Sequence, residues 1–361
     1  MKKRVFGLDF IRVVAFYFVI LVHSFLNSSF NHAPLEGFSM FLLLMVRCVA
    51  FTGVLLFIMI TGYCKSNKEL SKEHFRSIIK ILVVYLVISI ITFVFRKFYL
   101  HQDLSFYNSI IGIFNFTTIP YAWYVEMYIG LFLLIPFLNI VYHHLDTKEK
   151  KQLLIFILLF ITSISTTFSN LEIAGRSLDI LPNWWGNLYP ILLYYIGSYI
   201  REYSIKLNKI INFIIIIVLV FLQAFIMYYY CHGLALYDRN IFVYENNLPS
   251  IILAVFIFLF CYDIKTHNKF LTKIMYLISY ASFGGYLISY CCDQFFYHHS
   301  IPLSPNQPYY FLICTFGLTP IIFFSSTILS YIINKMVDIG TKIHHKIHNN
   351  HQLKVKNKEV Y

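Results

Sequence analysis

The chain has 361 residues, of which 58% are hydrophobic, 19% aromatic and only 13% charged. An ordinary soluble domain is about a quarter charged, so the composition excludes a soluble one- or two-domain enzyme, a disordered chain and a disulfide scaffold, and points to a polytopic membrane protein. The 29 Lys and Arg against 17 Asp and Glu, net +12, would suggest nucleic acid in a soluble protein; here they are first an orientation signal, and no nucleic-acid partner is expected.

A spanning helix needs about 20 mostly apolar residues. Ten candidates follow in chain order: residues 7–27, 38–62, 77–95, 121–142, 152–168, 188–200, 210–230, 248–262, 274–297 and 309–333, the sixth and eighth being short. Residues 106–119 (FYNSIIGIFNFTTI) read as an interfacial or re-entrant segment. With the N-terminus inside, the cytoplasmic connections carry 22 Lys and Arg and the external ones 4. That asymmetry predicts an all-α integral membrane fold of about ten transmembrane helices with both termini cytoplasmic. One polytopic domain covers 1–340, and 341–361 is a basic, His-rich cytoplasmic tail suited to anionic headgroups, with metal binding by its histidines as the alternative.

The opening Met1-Lys2-Lys3-Arg4 and its apolar run resemble a signal peptide. Asp9 and Arg12 interrupt the run and no small-residue cleavage site follows, so a retained first helix is the better reading. The seven cysteines form no CxxC pair or metal spacing, and there is no GxGxxG or GxxxxGK[ST] motif. Neither zinc, nor a disulfide framework, nor a nucleotide-binding domain is expected.

Ionisable residues inside spans are costly and are functional candidates by default. Arg12 and His23 share the first span. Eleven residues advance the helix about 1100°, three turns and roughly 20°, so both side chains leave one face, roughly 16 Å apart along the axis. Toward the outside, Glu126 of the fourth span and Asp293 of the ninth reach the depth of His23, with Arg47 nearer the middle of the second. A carboxylate beside a histidine suits general-base work. The plainer alternatives are a satisfied core histidine and a structural pair of Arg47 with Glu126 or Asp293. The inner half holds Arg12, Arg76 and Lys80 with no spanning acid among them. Arg76 and Lys80, four apart, share a helix face and form a cationic pocket suited to phosphates, the alternative being snorkelling to headgroups. An acyl-CoA fits these two poles, its phosphates inside and its arm reaching outward along the first helix.

These residues resemble the membrane acyltransferase family 3, integral-membrane O-acyltransferases of bacterial surface glycans. Arg12 and His23, with Gly7-Leu8-Asp9-Phe10-Ile11 before them, match its basic-x10-His signature. Gly53 to Tyr63 resembles its GVxxFxxxSGY pattern with Thr61 for Ser. Ala122-Trp123-Tyr124-Val125-Glu126 through Pro136 resembles its Trp-aromatic helix, and Ser282 to Ile288 its FGxYLIH segment. Many members carry Arg-x-x-Arg at the third span, where this chain has Arg76 and Lys80; the second His of FGxYLIH is Ser289 here, so no role passes to it.

The resemblance implies a multi-pass enzyme of the bacterial inner membrane with no tightly bound cofactor. It implies transfer of an acetyl or short acyl group from cytoplasmic acetyl-CoA or another acyl-CoA to a hydroxyl of an extracytoplasmic or lipid-linked polysaccharide. His23 would be general base or transient acyl carrier, Glu126 its orienting acid, and Arg12, Arg76 and Lys80 the donor contacts, with charge stabilisation as the thioester breaks as the catalytic alternative for Arg12. Trp123, Tyr124, Trp184, Trp185, Arg47 and Asp293 are candidates for the acceptor, the alternative for the aromatics being an interfacial belt. The rival function is a transporter or flippase of a glycan or lipid precursor; the repeated halves and broken helices that would mark one are not evident.

Overall fold

The computed structural model describes residues 5–169, 172–173, 176–178, 180–236, 242, 244–300 and 308–358. The opening Met1-Lys2-Lys3-Arg4 and the side chains of the basic tail beyond residue 341 lie outside the described residues. Among the described residues the fold is all-α apart from a two-residue antiparallel ribbon pairing Glu172 with Ser177 and Ile173 with Arg176 and an isolated bridge between Leu35 and His232. In chain order the helices are α1 (Phe6–Asn27), α2 (Gly37–Ala50), α3 (Thr52–Lys65), α4 (Lys72–Arg76), α5 (Ile79–Val94), α6 (Phe106–Phe114), α7 (Trp123–His144), α8 (Lys148–Leu159), α9 (Ser165–Ser169), α10 (Tyr189–Tyr203), α11 (Lys209–Cys231), α12 (Leu248–Cys261), α13 (Lys269–Ser300), α14 (Pro308–Leu312) and α15 (Thr319–Lys358). Single π-helical turns join α8 to α9 and α14 to α15 and extend α5.

Among the described residues, eight helical segments are long and apolar enough to cross a membrane, with α2–α3 and α4–α5 each counting as one. The expected sixth and eighth spans coincide with α10 and α12, of 15 and 14 residues, which fall short of that length. Both are largely buried by neighbouring helices. A helix enclosed by protein does not need the unbroken apolar run that lipid demands. By contrast, α11 presents Ile210, Phe213, Ile214, Ile217, Val218 and Phe221 outward, an exposed apolar stripe that only a lipid environment makes favourable. At nine residues α6 is too short to span; its exposed Phe106, Tyr107, Ile110 and Phe114 form one apolar face, the pattern of a helix lying in the interface.

The bundle is built around α1, which packs against α2, α3, α12, α13 and α15. Contacts fix the directions. Ser279 donates to Asp9 at 2.7 Å, Gly285 lies against the Phe16 ring, and Ser24 bonds Tyr297 at 2.8 Å; α1 and α13 are therefore parallel. Asn334 reaches Tyr280 and Ser325 reaches Cys292, so α15 is antiparallel to both. α7 is antiparallel to α1, with Tyr121 against His23 and Tyr128 near Arg12.

Small residues permit the tightest crossing. A side chain at Gly62 would strike the backbone of Tyr194, and one at Gly197 the backbone of Met59, so α3 and α10 touch main chain to main chain. The second span bends where Thr52 Oγ1 donates to the Val49 carbonyl at 2.7 Å, a side-chain bond that competes with the helical ladder.

Candidate active site

His23 lies in the C-terminal part of α1 and is buried. Its ring stacks on Tyr121, centroids 3.6 Å apart and planes inclined by 24°. The Tyr121 hydroxyl donates to Asp293 Oδ2 at 2.8 Å and accepts from Asn27 Nδ2 at 2.8 Å. Asn27, one turn beyond His23, also donates to the His23 carbonyl at 2.8 Å, and its Oδ1 accepts from Gln294 at 3.3 Å. Four helical or near-helical residues from three parts of the chain thus fix one imidazole. Two buried atoms of this cluster, His23 Nδ1 and Asp293 Oδ1, have no hydrogen-bond partner. Buried polar atoms are nearly always paired, so these two atoms make the cluster a candidate for contact with a reacting group.

At the other end of α1, Arg12 bonds Asp9 at 3.2 Å and Cys64 Sγ at 3.4 Å. It lines a cavity of about 360 Å³ with Lys65 and Lys80 at the same end and Tyr124 and Tyr286 further along. Tyr286 brings the cavity toward the cluster, its ring 6.2 Å from that of His23. The cavity therefore runs beside α1 from three cations toward one histidine, and is mainly apolar between them, with Val19, Val54 and Phe57 in its wall.

The remaining expected residues fall in different places. Glu126 is exposed and makes no hydrogen bond or ion pair among the described residues, so it does not meet His23. Helical geometry explains this: Tyr124, Tyr128, Leu131 and Phe132 carry the buried face of α7, and Glu126 lies about 200° from Tyr124. The acid at His23 is Asp293, fully buried and reached through Tyr121. Arg47 is also fully buried but joins neither acid; its Nε donates to Asn31 Oδ1 at 2.8 Å and its guanidinium lies 4.3 Å from the Phe51 ring centre. In the adjoining connection, burial pushes the Glu245 carboxyl up from its usual range, against the pull of Arg47.

The inner set also differs from expectation. It is not purely cationic: Arg12 is paired with the buried Asp9, and Lys80 with Asp338 of α15 at 2.6 Å. Arg76 and Lys80 share no helix face, because α4 ends at Arg76 and a turn at Ser77 and Ile78 separates it from α5. Arg76 is exposed and outside the cavity; Lys65, the last residue of α3, takes its place there. Trp123 is exposed beside the buried, cavity-lining Tyr124. Trp184 and Trp185 stack at 4.4 Å on a short 3-10 turn, with Trp184 60% exposed. No contact joins either to His23.

The geometry has a counterpart in sequence comparison. A family model described as an acyltransferase domain matches residues 5–335. The chain belongs to the membrane acyltransferase family 3. No curated protein and no solved structure matches it. Seen within this acyltransferase, the family-like segments do two jobs. Some line the cavity or the buried cluster beside it, as do Arg12, Tyr124 and Tyr286, and His23 in that cluster. Others are helix contacts with α1: Gly53 lies against Ala15 and Phe18, and Gly285 against Phe16. Tyr121, Asn27 and Lys65 are the functional candidates that the sequence reading passes over. Asn27 is four residues from His23 on α1, so helical spacing alone places it on the site face, whereas Tyr121 lies in the turn before α7 and is placed by the fold.

Proposed function

We propose that this membrane acyltransferase takes an acetyl or short acyl group from acyl-CoA at the basic end of the cavity. It passes the group to a hydroxyl of a surface or lipid-linked carbohydrate near His23. The observation that carries the reading is the cavity itself, which runs from Arg12, Lys65 and Lys80 to Tyr286, whose ring lies 6.2 Å from that of His23; His23 itself is not in the cavity wall. Guanidinium and ammonium groups suit the phosphates of the donor, and the apolar middle suits its thin pantetheine arm.

In the reaction His23 takes the proton of the acceptor hydroxyl as its oxygen attacks the thioester carbon. The carbon–sulfur bond breaks, the acyl group stays on the acceptor oxygen, and the imidazolium returns its proton to the departing CoA thiolate. Tyr121 and Asn27 hold the imidazole plane, and Asp293 fixes Tyr121. The free Asp293 Oδ1 is suited to accept a second acceptor hydroxyl. Trp123 and Trp184 suit sugar stacking or an interfacial belt equally, and Arg47 is better employed as a buried structural cation. The setting is the bacterial inner membrane, with bilayer, acyl-CoA and carbohydrate as partners. The test is transfer of radiolabel from acetyl-CoA to a crude surface glycan by the purified protein. Label appearing in glycan supports the reading, and acetyl-CoA left intact by active, folded protein refutes it.

A further inference from the structure

The helix α7 contains Pro136, which has no N–H. The carbonyl four residues earlier, at Phe132, thereby loses its helical donor. His74, from the connection between α3 and α5, supplies one: its Nε2 lies 3.0 Å from the Phe132 oxygen. A carbonyl only accepts, so Nε2 carries the proton. The His74 ring also stacks on Phe132 at 4.2 Å and 8°, and Lys65 Nζ lies 4.6 Å from the same ring centre. Further along α7, Asn139 Nδ2 donates to the carbonyls of Lys65 at 2.9 Å and Lys68 at 2.8 Å, and His143 donates to that of Ser66 at 2.8 Å. Ser71 caps α4 by accepting from the His74 amide at 3.2 Å. One row of α7 therefore holds residues 65–74 along their length, and His74 closes its far end.

We infer that His74 is a positioning residue: by capping the carbonyl that Pro136 leaves open, it docks the α3–α4 connection on α7 and fixes Lys65 at the basic mouth of the cavity. This rests on the reading of that mouth as the donor phosphate site. It adds a residue that touches neither donor nor acceptor yet governs donor affinity. A hydrogen bond to a helix flaw from a connecting segment locates that segment more rigidly than contacts to an intact helix, whose carbonyls already have partners.

The experiment compares His74→Ala, His74→Gln, Lys65→Ala and the double variant His74→Ala/Pro136→Ala by acetyl-CoA kinetics and by amide hydrogen exchange over residues 65–74. His74→Ala should speed exchange there and raise KM for acetyl-CoA by about fivefold to tenfold, with kcat within about twofold. Gln carries an N–H donor near the place of Nε2 and should keep KM within about twofold. In the double variant the backbone N–H gained at position 136 restores the Phe132 bond, so thermal stability should recover while KM stays high. Unchanged exchange in His74→Ala overturns the inference. So does recovery of KM together with stability in the double variant, since the bond would then serve α7 alone. If exchange rises but KM holds while Lys65→Ala raises it, docking does not position Lys65. If Lys65→Ala is equally without effect, the donor reading falls and the positioning role falls with it.

Discussion

His23 and Tyr121 are stacked 3.6 Å apart, and the same Tyr121 gives its hydroxyl proton to the buried Asp293. The histidine is thus oriented by a ring face rather than by a direct carboxylate bond, which leaves its Nδ1 unengaged. A general base held this way keeps its acceptor nitrogen for substrate.

Tyr121→Phe keeps the stack and removes the bonds to Asp293 and Asn27. Leaving a buried acceptor without its donor costs about 1–3 kcal/mol, which predicts a fall in kcat of roughly fivefold to a hundredfold if the bond serves the transition state. Tyr121→Ala, which also removes the stack, should fall further. Steady-state transfer kinetics with the detergent-purified protein measures both.

Asp293 and Glu126 separate two assignments of the orienting acid. Asp293→Ala leaves the buried Tyr121 hydroxyl without its acceptor and should lower kcat by about thirtyfold or more. Glu126→Gln, at an exposed position, should stay within about twofold. The reverse ranking in the same assay would restore Glu126 to the site.

Among the basic residues, Lys65→Ala and Arg12→Ala should each raise KM for acetyl-CoA by about tenfold, the worth of one charge-assisted contact. Lys80→Ala should do less, because its ammonium is already committed to Asp338 at 2.6 Å. Isothermal titration with CoA gives the same ranking without turnover.

The α3–α10 crossing makes a prediction about stability alone. Gly197→Leu forces a side chain into the Met59 backbone and should destabilise the fold by about 3 kcal/mol or more. Thermal unfolding in detergent should show the loss, while Gly130→Leu, where a Cβ meets open space, should leave the midpoint nearly unchanged.

Much of this is legible from residues alone, because in a membrane chain composition and charge placement are strong constraints. The Arg12–His23 spacing puts two groups on one helix face before any neighbour is known. Asp293 and Glu126 lie at equal depth, and depth says nothing of which way a side chain points. The buried period Tyr124, Tyr128, Leu131 carries that information and excludes Glu126. Pairing Arg76 with Lys80 assumes an unbroken helix across Ser77 and Ile78. Lys65 is hidden because it ends a span and counts as a connection. Asp9, three residues before Arg12 on α1, is a local partner near enough in sequence to be foreseen, whereas Asp338 meets Lys80 only through a tertiary contact. The short α10 and α12 are recognisable as apolar segments, but their enclosure by other helices is not.

The central claim is that His23 is the group that accepts the hydroxyl proton. It is tested most directly by single-turnover transfer of radiolabelled acetyl from acetyl-CoA by His23→Ala and His23→Gln proteins whose thermal midpoints and CoA affinities match the parent. The expected result is unaltered CoA binding with acetyl transfer reduced by about a thousandfold or more. Transfer at the parental rate by the folded His23→Ala protein would contradict the assignment.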